Sequence, residues 1–289
     1  MNINDYIEYW DRVIDEWLGK KSPSVDYKKE YDVWLDGNSK VSQEDMPEPY
    51  WGYPQKGSLV VLNYNPAGGF EGIPMTTKSY ANCSSRTTFI NYVYRHCYSG
   101  IAKSFPLIYD DGNEEINKAL DGYVGADWWR KKKEWMESWT KNDARPFVME
   151  LCGWHSKNWK DTKFEKVINK PEALQHIQDT VVAPLIHAVK RSGNMAVCIG
   201  KQFGMLLSKL GFCEVTAVLR LSTGEYVSDK GWQPCEKKRY YRVFTKDGIY
   251  VVNTWSVGGN RHPAKAYAAF EEELRKIIFS KLECPVSKV

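Results

Sequence analysis

Short apolar runs alternate along the chain with longer stretches in which apolar residues recur at helical spacing. The runs at Leu59 to Leu62, Pro146 to Leu151, Met195 to Ile199, Val215 to Leu219, Tyr241 to Phe244 and Ile249 to Asn253 read as strands. Each is too short for a helix and is bounded by glycine or polar residues. Helical spacing covers Thr87 to Tyr98, Asn113 to Ala119, Trp128 to Trp139, Pro171 to Arg191, Lys201 to Leu210 and Pro263 to Leu282. Ahead of these, Ile7, Trp10, Val13, Ile14 and Trp17 share one face of a helix over Tyr6 to Leu18, followed by a polar, proline-bearing stretch to Pro54. Strands alternating with helices predict an α/β fold with a parallel sheet covered on both faces. The expected architecture is a three-layer α/β/α sandwich with a short, mainly parallel central sheet. One departure from parallel pairing is expected: residues 240–245 and 249–253, joined through Lys246-Asp247-Gly248, read as a hairpin with a D-G turn.

Length and composition narrow the picture. No Pro/Ser/Gly linker divides the 289 residues, so a single domain over 1–289 is expected, with an N-terminal helical extension at 1–54 and an insert at 110–140. The net charge of +4 is too small to demand a polyanionic partner, although Arg130-Lys131-Lys132-Lys133 and Lys237-Lys238-Arg239 concentrate positive charge. A solvated face explains each run equally simply. Twelve Trp and eighteen Tyr, many beside Lys or Arg as in Trp154-His155-Ser156-Lys157-Asn158-Trp159-Lys160, suit either stacking on bases or ordinary packing. The seven cysteines include no C-x-x-C pair, which gives no support to zinc or iron–sulfur ligation. No apolar run approaches the ~18 residues of a membrane span, and the first residues lack a signal-like basic and apolar pattern. A soluble cytoplasmic protein is the expectation.

Chemistry concentrates where strands break into loops. Val60-Val61-Leu62 ends in Asn63-Tyr64-Asn65-Pro66-Ala67-Gly68-Gly69-Phe70, and Ile249 to Asn253 ends in Thr254-Trp255-Ser256-Val257-Gly258-Gly259-Asn260-Arg261-His262-Pro263. An α/β fold delivers ligand contacts at such carboxyl ends. A third strand-to-helix switch, Cys198-Ile199-Gly200-Lys201-Gln202-Phe203-Gly204, lacks both the dinucleotide and the P-loop glycine spacing.

These segments resemble the uracil-DNA glycosylase superfamily, especially its single-strand-selective monofunctional branch. The first motif of that superfamily, G-x-N-P-G followed by an aromatic and a G-x-P element, is similar to Asn63 through Pro74 with a small insertion. The second, an H-P-S element opening the last helix, is matched by His262-Pro263-Ala264, and a strand like Val197 to Lys201 lies between them. The resemblance implies that Asn65 positions the attacking water and that His262 donates a hydrogen bond to the base O2 as negative charge accumulates. A donor aimed at developing charge is typically worth ~3 kcal/mol of barrier. It further implies that Phe70 stacks on a flipped base; Tyr64 and Gly68, where the motif departs from the family pattern, are expected to line the pocket. As lone residues, Asn65 suits a turn before proline, His262 a helix cap and Phe70 a loop anchor.

The departures carry the substrate expectation. Glu150 stands where related enzymes place an Asn that reads uracil. A carboxylate cannot donate to O4, but acidic side chains accept from cytosine N4, and a carboxyl held protonated by burial also donates to unprotonated N3. A cytosine-type base follows. Small residues at Ala67-Gly68-Gly69 leave room for a 5-substituent, such as the glucosylated hydroxymethyl group carried by some phage DNA, which points to an antiviral glycosylase. The serine of the second motif is missing; Arg261, Lys265 and Tyr267 are the candidate DNA contacts, the first two for phosphate. The expected enzyme needs no metal or cofactor, forms no Schiff base, has DNA as its partner, and requires neither membrane nor obligate protein partner. Its rivals are a uracil-DNA glycosylase of base-excision repair, an enzyme acting on free nucleosides, and a catalytically inactive nucleic-acid-binding module.

Overall fold

The structure, a computed structural model, describes residues 1–17, 25–34, 41–42, 47, 49–64, 135–137, 139–141, 144–156, 162–200, 202–220, 226–228 and 239–254. The predicted helices at 87–98, 113–119 and 263–282, most of the 110–140 insert, and the runs 130–133 and 237–238 lie outside them.

Eight strands form one sheet: β1 (Tyr50–Trp51), β2 (Val60–Asn63), β3 (Phe147–Glu150), β4 (Ala196–Ile199), β5 (Cys213–Arg220), β6 (Tyr226–Ser228), β7 (Arg239–Lys246) and β8 (Ile249–Thr254), in the order β1-β3-β2-β4-β8-β7-β5-β6. The central strands β3, β2, β4 and β8 are mutually parallel. Val60–Asn63 and Phe147–Glu150 are buried throughout, and their near-continuous apolar sequences are what strands without a solvated face require.

The sheet is nevertheless mixed. β1 joins β3 antiparallel, and β7, β5 and β6 extend the other flank antiparallel. Parallel pairing is therefore confined to the core, because β7 and β8 are joined by a tight turn that permits only antiparallel pairing. That turn is the predicted one: Asp247 and Gly248 have φ of 50° and 79°, as a two-residue hairpin connection demands.

Six helical segments are described: α1 (Ile3–Trp17), α2 (Val25–Trp34), α3 (Phe164–Val167), α4 (Pro171–Ile177), α5 (Ala183–Ser192) and α6 (Gln202–Lys209). α4 and α5 are one helical run interrupted by a π turn at Gln178–Val182. Pro184 supplies the reason: it has no N–H to offer the Thr180 carbonyl, and the Ala183 N–H reaches back to Gln178 instead. Gly193, in the left-handed region at φ 61°, ends the run. α5 packs against β2 and β8, and α6 against β5.

The N-terminal segment is part of the core. Ile3, Tyr6, Tyr9, Trp10 and Val13 of α1 are buried, and Trp10 lies so close to Gly153 that a side chain there would meet its indole. Tyr9 and His176 both bond one carboxylate oxygen of Glu30, at 2.8 and 2.7 Å, tying α1, α2 and α4 together through a polar cluster buried on all sides. Trp10, Trp34, Trp51, Trp135, Trp139 and Trp154 are all buried, so for these six the aromatic richness of the sequence is packing. Among the described residues, no helix is long and apolar enough to cross a membrane.

Candidate active site

The chain order of the parallel strands locates a crevice. The connection leaving β2 leads to β3 on one side, whereas the connection leaving β4 passes through α6 to β5 on the other. Adjacent strands whose connections part in this way leave an opening at their carboxyl ends, where open α/β sheets bind ligands. Asn63 and Ile199, the last residues of β2 and β4, border it, and Glu150 and Thr254 end the next strand out on either side.

Asn63 and Glu150 are register partners, which puts their side chains on the same face of the sheet. The Asn63 Nδ2 donates to Glu150 Oε1 at 3.1 Å, with the two residues 7% and 4% exposed. Pairing continues beyond the strands: Leu151 N–H reaches Asn63 O and Cys152 N–H reaches Tyr64 O, each at 3.0 Å. Both chain segments therefore leave the sheet together. On the other side of β3, Glu150 N–H bonds Pro49 O at 2.8 Å, and Tyr6 donates its phenol to the same carbonyl at 3.0 Å. Burial pushes the Tyr6 phenol well up from its ordinary value, and the carboxylates of Glu30 and Glu150 add to the shift. The Cys152 thiol is raised by burial first and then by the same two acids. A carboxyl group is thus held at a strand end among groups that stay neutral.

Tyr64, expected to line the pocket, is buried against core residues. Its ring stands edge-on to Phe164 and Phe203, at 5.0 and 6.2 Å between centroids, and its hydroxyl shares a 2.8 Å hydrogen bond with Thr162. Burial raises this phenol too. Across the crevice, Gly200 adopts φ 125°, and a Cβ there would run into the Gln202 side chain. Asn253, fully buried, fixes this turn by donating to Gly200 O at 2.7 Å and Cys198 O at 3.2 Å.

Comparison with protein-family models, curated proteins and solved structures gives no match. Asn65, Gly68, Phe70, Arg261, His262, Lys265 and Tyr267 lie outside the described residues. What the topology does fix is where the segments bearing them start. Tyr64 follows β2 and Thr254 ends β8, both strands are parallel to β4 and flank it, and so the two departure points stand one strand apart at the same end of the sheet. Two strand spacings amount to about 10 Å.

Three contributors escaped the sequence reading. Asn63 is visible there only as a polar residue closing an apolar run, and nothing in one sequence gives its register with Glu150. Glu30 falls in the polar stretch before Pro54 and His176 in the helical pattern over 171–191, and neither stands out there. Among the described residues, no group of His, Cys, Asp and Glu gathers in a way that would hold a metal ion.

Proposed function

We propose that the protein is a monofunctional DNA glycosylase that hydrolyses the N-glycosidic bond of a flipped, modified cytosine, such as glucosylated hydroxymethylcytosine in phage DNA, and leaves an abasic site. The observation that carries this reading is the buried Glu150 carboxyl, bonded by Asn63 at the carboxyl ends of the neighbouring parallel strands β3 and β2. An acceptor there matches the exocyclic amino group of cytosine and is unsuited, as a carboxylate, to O4 of uracil. The proposed architecture is a three-layer α/β/α sandwich, and α5 against β2 and β8 together with α6 against β5 supports it.

The chemistry assigned to this chain follows from the reaction. Water adds at C1′ of the sugar as the C1′–N1 bond breaks, and the base departs carrying the bonding electrons. Asn65 orients that water, and His262 donates to the base O2, where the negative charge collects. Glu150 holds the Watson–Crick edge, Phe70 stacks on the base, and Gly68 leaves space at the 5-position. Arg261, Lys265 and Tyr267 face the DNA backbone and the gap left by the flipped nucleotide. Enclosure of the base excludes water from the departing anion and strengthens each of these contacts. We place the enzyme in the cytoplasm, acting on invading DNA without metal or cofactor.

An abasic-site assay tests the proposal. Duplex and single-stranded DNA carrying uracil, cytosine, hydroxymethylcytosine or its glucosylated form is incubated with the protein and treated with alkali. Strand breaks confined to modified cytosine are the expected result. Breaks on uracil alone would assign a repair glycosylase, breaks on free nucleosides alone a nucleoside hydrolase, and salt-dependent DNA binding without breaks an inactive binding module.

A further inference from the structure

We infer that Tyr64 is a positioning residue for the reaction: a clasp formed by Thr162, Phe164 and Phe203 fixes its side chain, and through it the start of the loop that carries Asn65. This rests on the reading of Asn65 as the residue that orients the attacking water. Tyr64 directly follows β2 and is joined to Asn65 by a single planar peptide, so whatever displaces Tyr64 displaces Asn65 with it.

Tyr64 is held at its tip, on its ring and at its backbone. The hydroxyl shares a 2.8 Å hydrogen bond with the fully buried Thr162. The ring meets Phe164 of α3 at 5.0 Å and Phe203 of α6 at 6.2 Å between centroids. The carbonyl accepts the Cys152 N–H at 3.0 Å, which ties the same residue to the chain leaving β3. Contacts of this kind around a supporting residue are what hold a reacting group to a fraction of an ångström. The build of the clasp supports a role beyond filling space. Thr162 and Phe164 lie on either side of Lys163, whose φ of 52° and ψ of 37° put a non-glycine residue in the left-handed region. That conformation is costly for a residue with a Cβ, and it is held only where the surrounding contacts over-determine it. Here both neighbours of the strained residue grip one tyrosine, and its carbonyl accepts the Lys166 and Val167 N–H groups as α3 begins. A phenylalanine at position 64 would fill nearly the same volume; the hydroxyl adds the bond to Thr162.

Two measurements test the inference. The first is the kinetics of excision of glucosylated hydroxymethylcytosine by Tyr64→Phe, Thr162→Val and Thr162→Ser, each alone and in an Asn65→Ala background. Tyr64→Phe and Thr162→Val break the same bond, and each should lower kcat about tenfold with KM unchanged, the effect of a reacting group displaced by less than an ångström. Combined, they should cost no more than either alone. Thr162→Ser keeps the hydroxyl and should restore most of kcat. Because Tyr64 acts through Asn65, the loss should vanish in the Asn65→Ala background, whereas a merely structural role would lower the residual excision there by the same factor. The second measurement needs no activity: hydrogen exchange of the Cys152 amide, bonded to the Tyr64 carbonyl, should become about tenfold faster in Tyr64→Phe and Thr162→Val while the amides of β4 exchange as before. An unchanged kcat in Tyr64→Phe, a loss that persists without Asn65, or Cys152 exchange at the wild-type rate overturns the inference. Wild-type inactivity on every base, beside Cys152 exchange that responds to both substitutions, would instead sink the functional reading alone.

Discussion

Glu150 and Asn63 show how far a single residue's neighbours decide its chemistry. A carboxyl at the end of a buried strand is costly to place unless something bonds it, and here the amide of the adjacent strand does so. Replacing Glu150 by Gln changes the pattern presented to a base, since a carboxamide donates and accepts at fixed atoms. Glu150→Gln should therefore shift preference from modified cytosine toward uracil by about 10- to 100-fold, the worth of one bidentate base contact, as read from abasic-site yields on the two substrates. Glu150 was legible in the sequence because a charged residue closes an otherwise apolar run. Asn63 was not, because its role depends on a register between residues 87 positions apart. Tyr64 adjoins the motif, and its ring and hydroxyl contact Phe164, Phe203 and Thr162.

At the scale of elements, the strands of the core were readable to within a residue or two, since four-residue apolar runs between turns have few alternatives. β1 and β6, of two and three residues, are too short to show any alternation, and α2 carries too weak an apolar stripe to stand out from the polar stretch around it. The π turn follows from Pro184, but a proline within a helical pattern specifies an interruption without specifying its form. What holds α2 is the acid on it. Glu30 serves Tyr9 of α1 and His176 of α4 with one oxygen, inside a region from which water is excluded. Glu30→Ala removes the acceptor common to both helices and should destabilise the fold by about 3–5 kcal/mol, the usual penalty for breaking a buried pair from one side. Urea denaturation checks this, and a loss below 1 kcal/mol would mean that apolar packing alone seats α2.

The whole molecule responds to pH through groups that the fold keeps neutral. Cys152, Cys198, Tyr6 and Tyr64 are all raised by burial above their ordinary values. Each loses its proton more readily in the unfolded chain, so their contribution is complete below the unfolded values and declines as pH rises. Stability should begin to fall near pH 8.5, where unfolded thiols ionise, and fall more steeply near pH 10, where phenols do. In a Cys152→Ala, Cys198→Ala double variant, denaturation curves across pH 7–11 should show the later onset only. The parallel core was legible at this scale from the alternation of strands and helices. Its flanks were not: which strand follows which in space is a property of the sheet, and the sequence carries only the order in which strands are made.

That difference in order has a bearing on how the protein comes into being. β8, the last member of the parallel core to be reached from β3 and the last strand along the described chain, lies in the middle of the sheet, between β4 and β7. A nascent polypeptide that has passed β7 but not yet reached residue 249 holds β1-β3-β2-β4 on one side and β7-β5-β6 on the other, each with an unpaired border. Such borders recruit other chains. Of the described strands the keystone is thus delivered last, and the hazardous interval lies between the synthesis of β7 and that of β8.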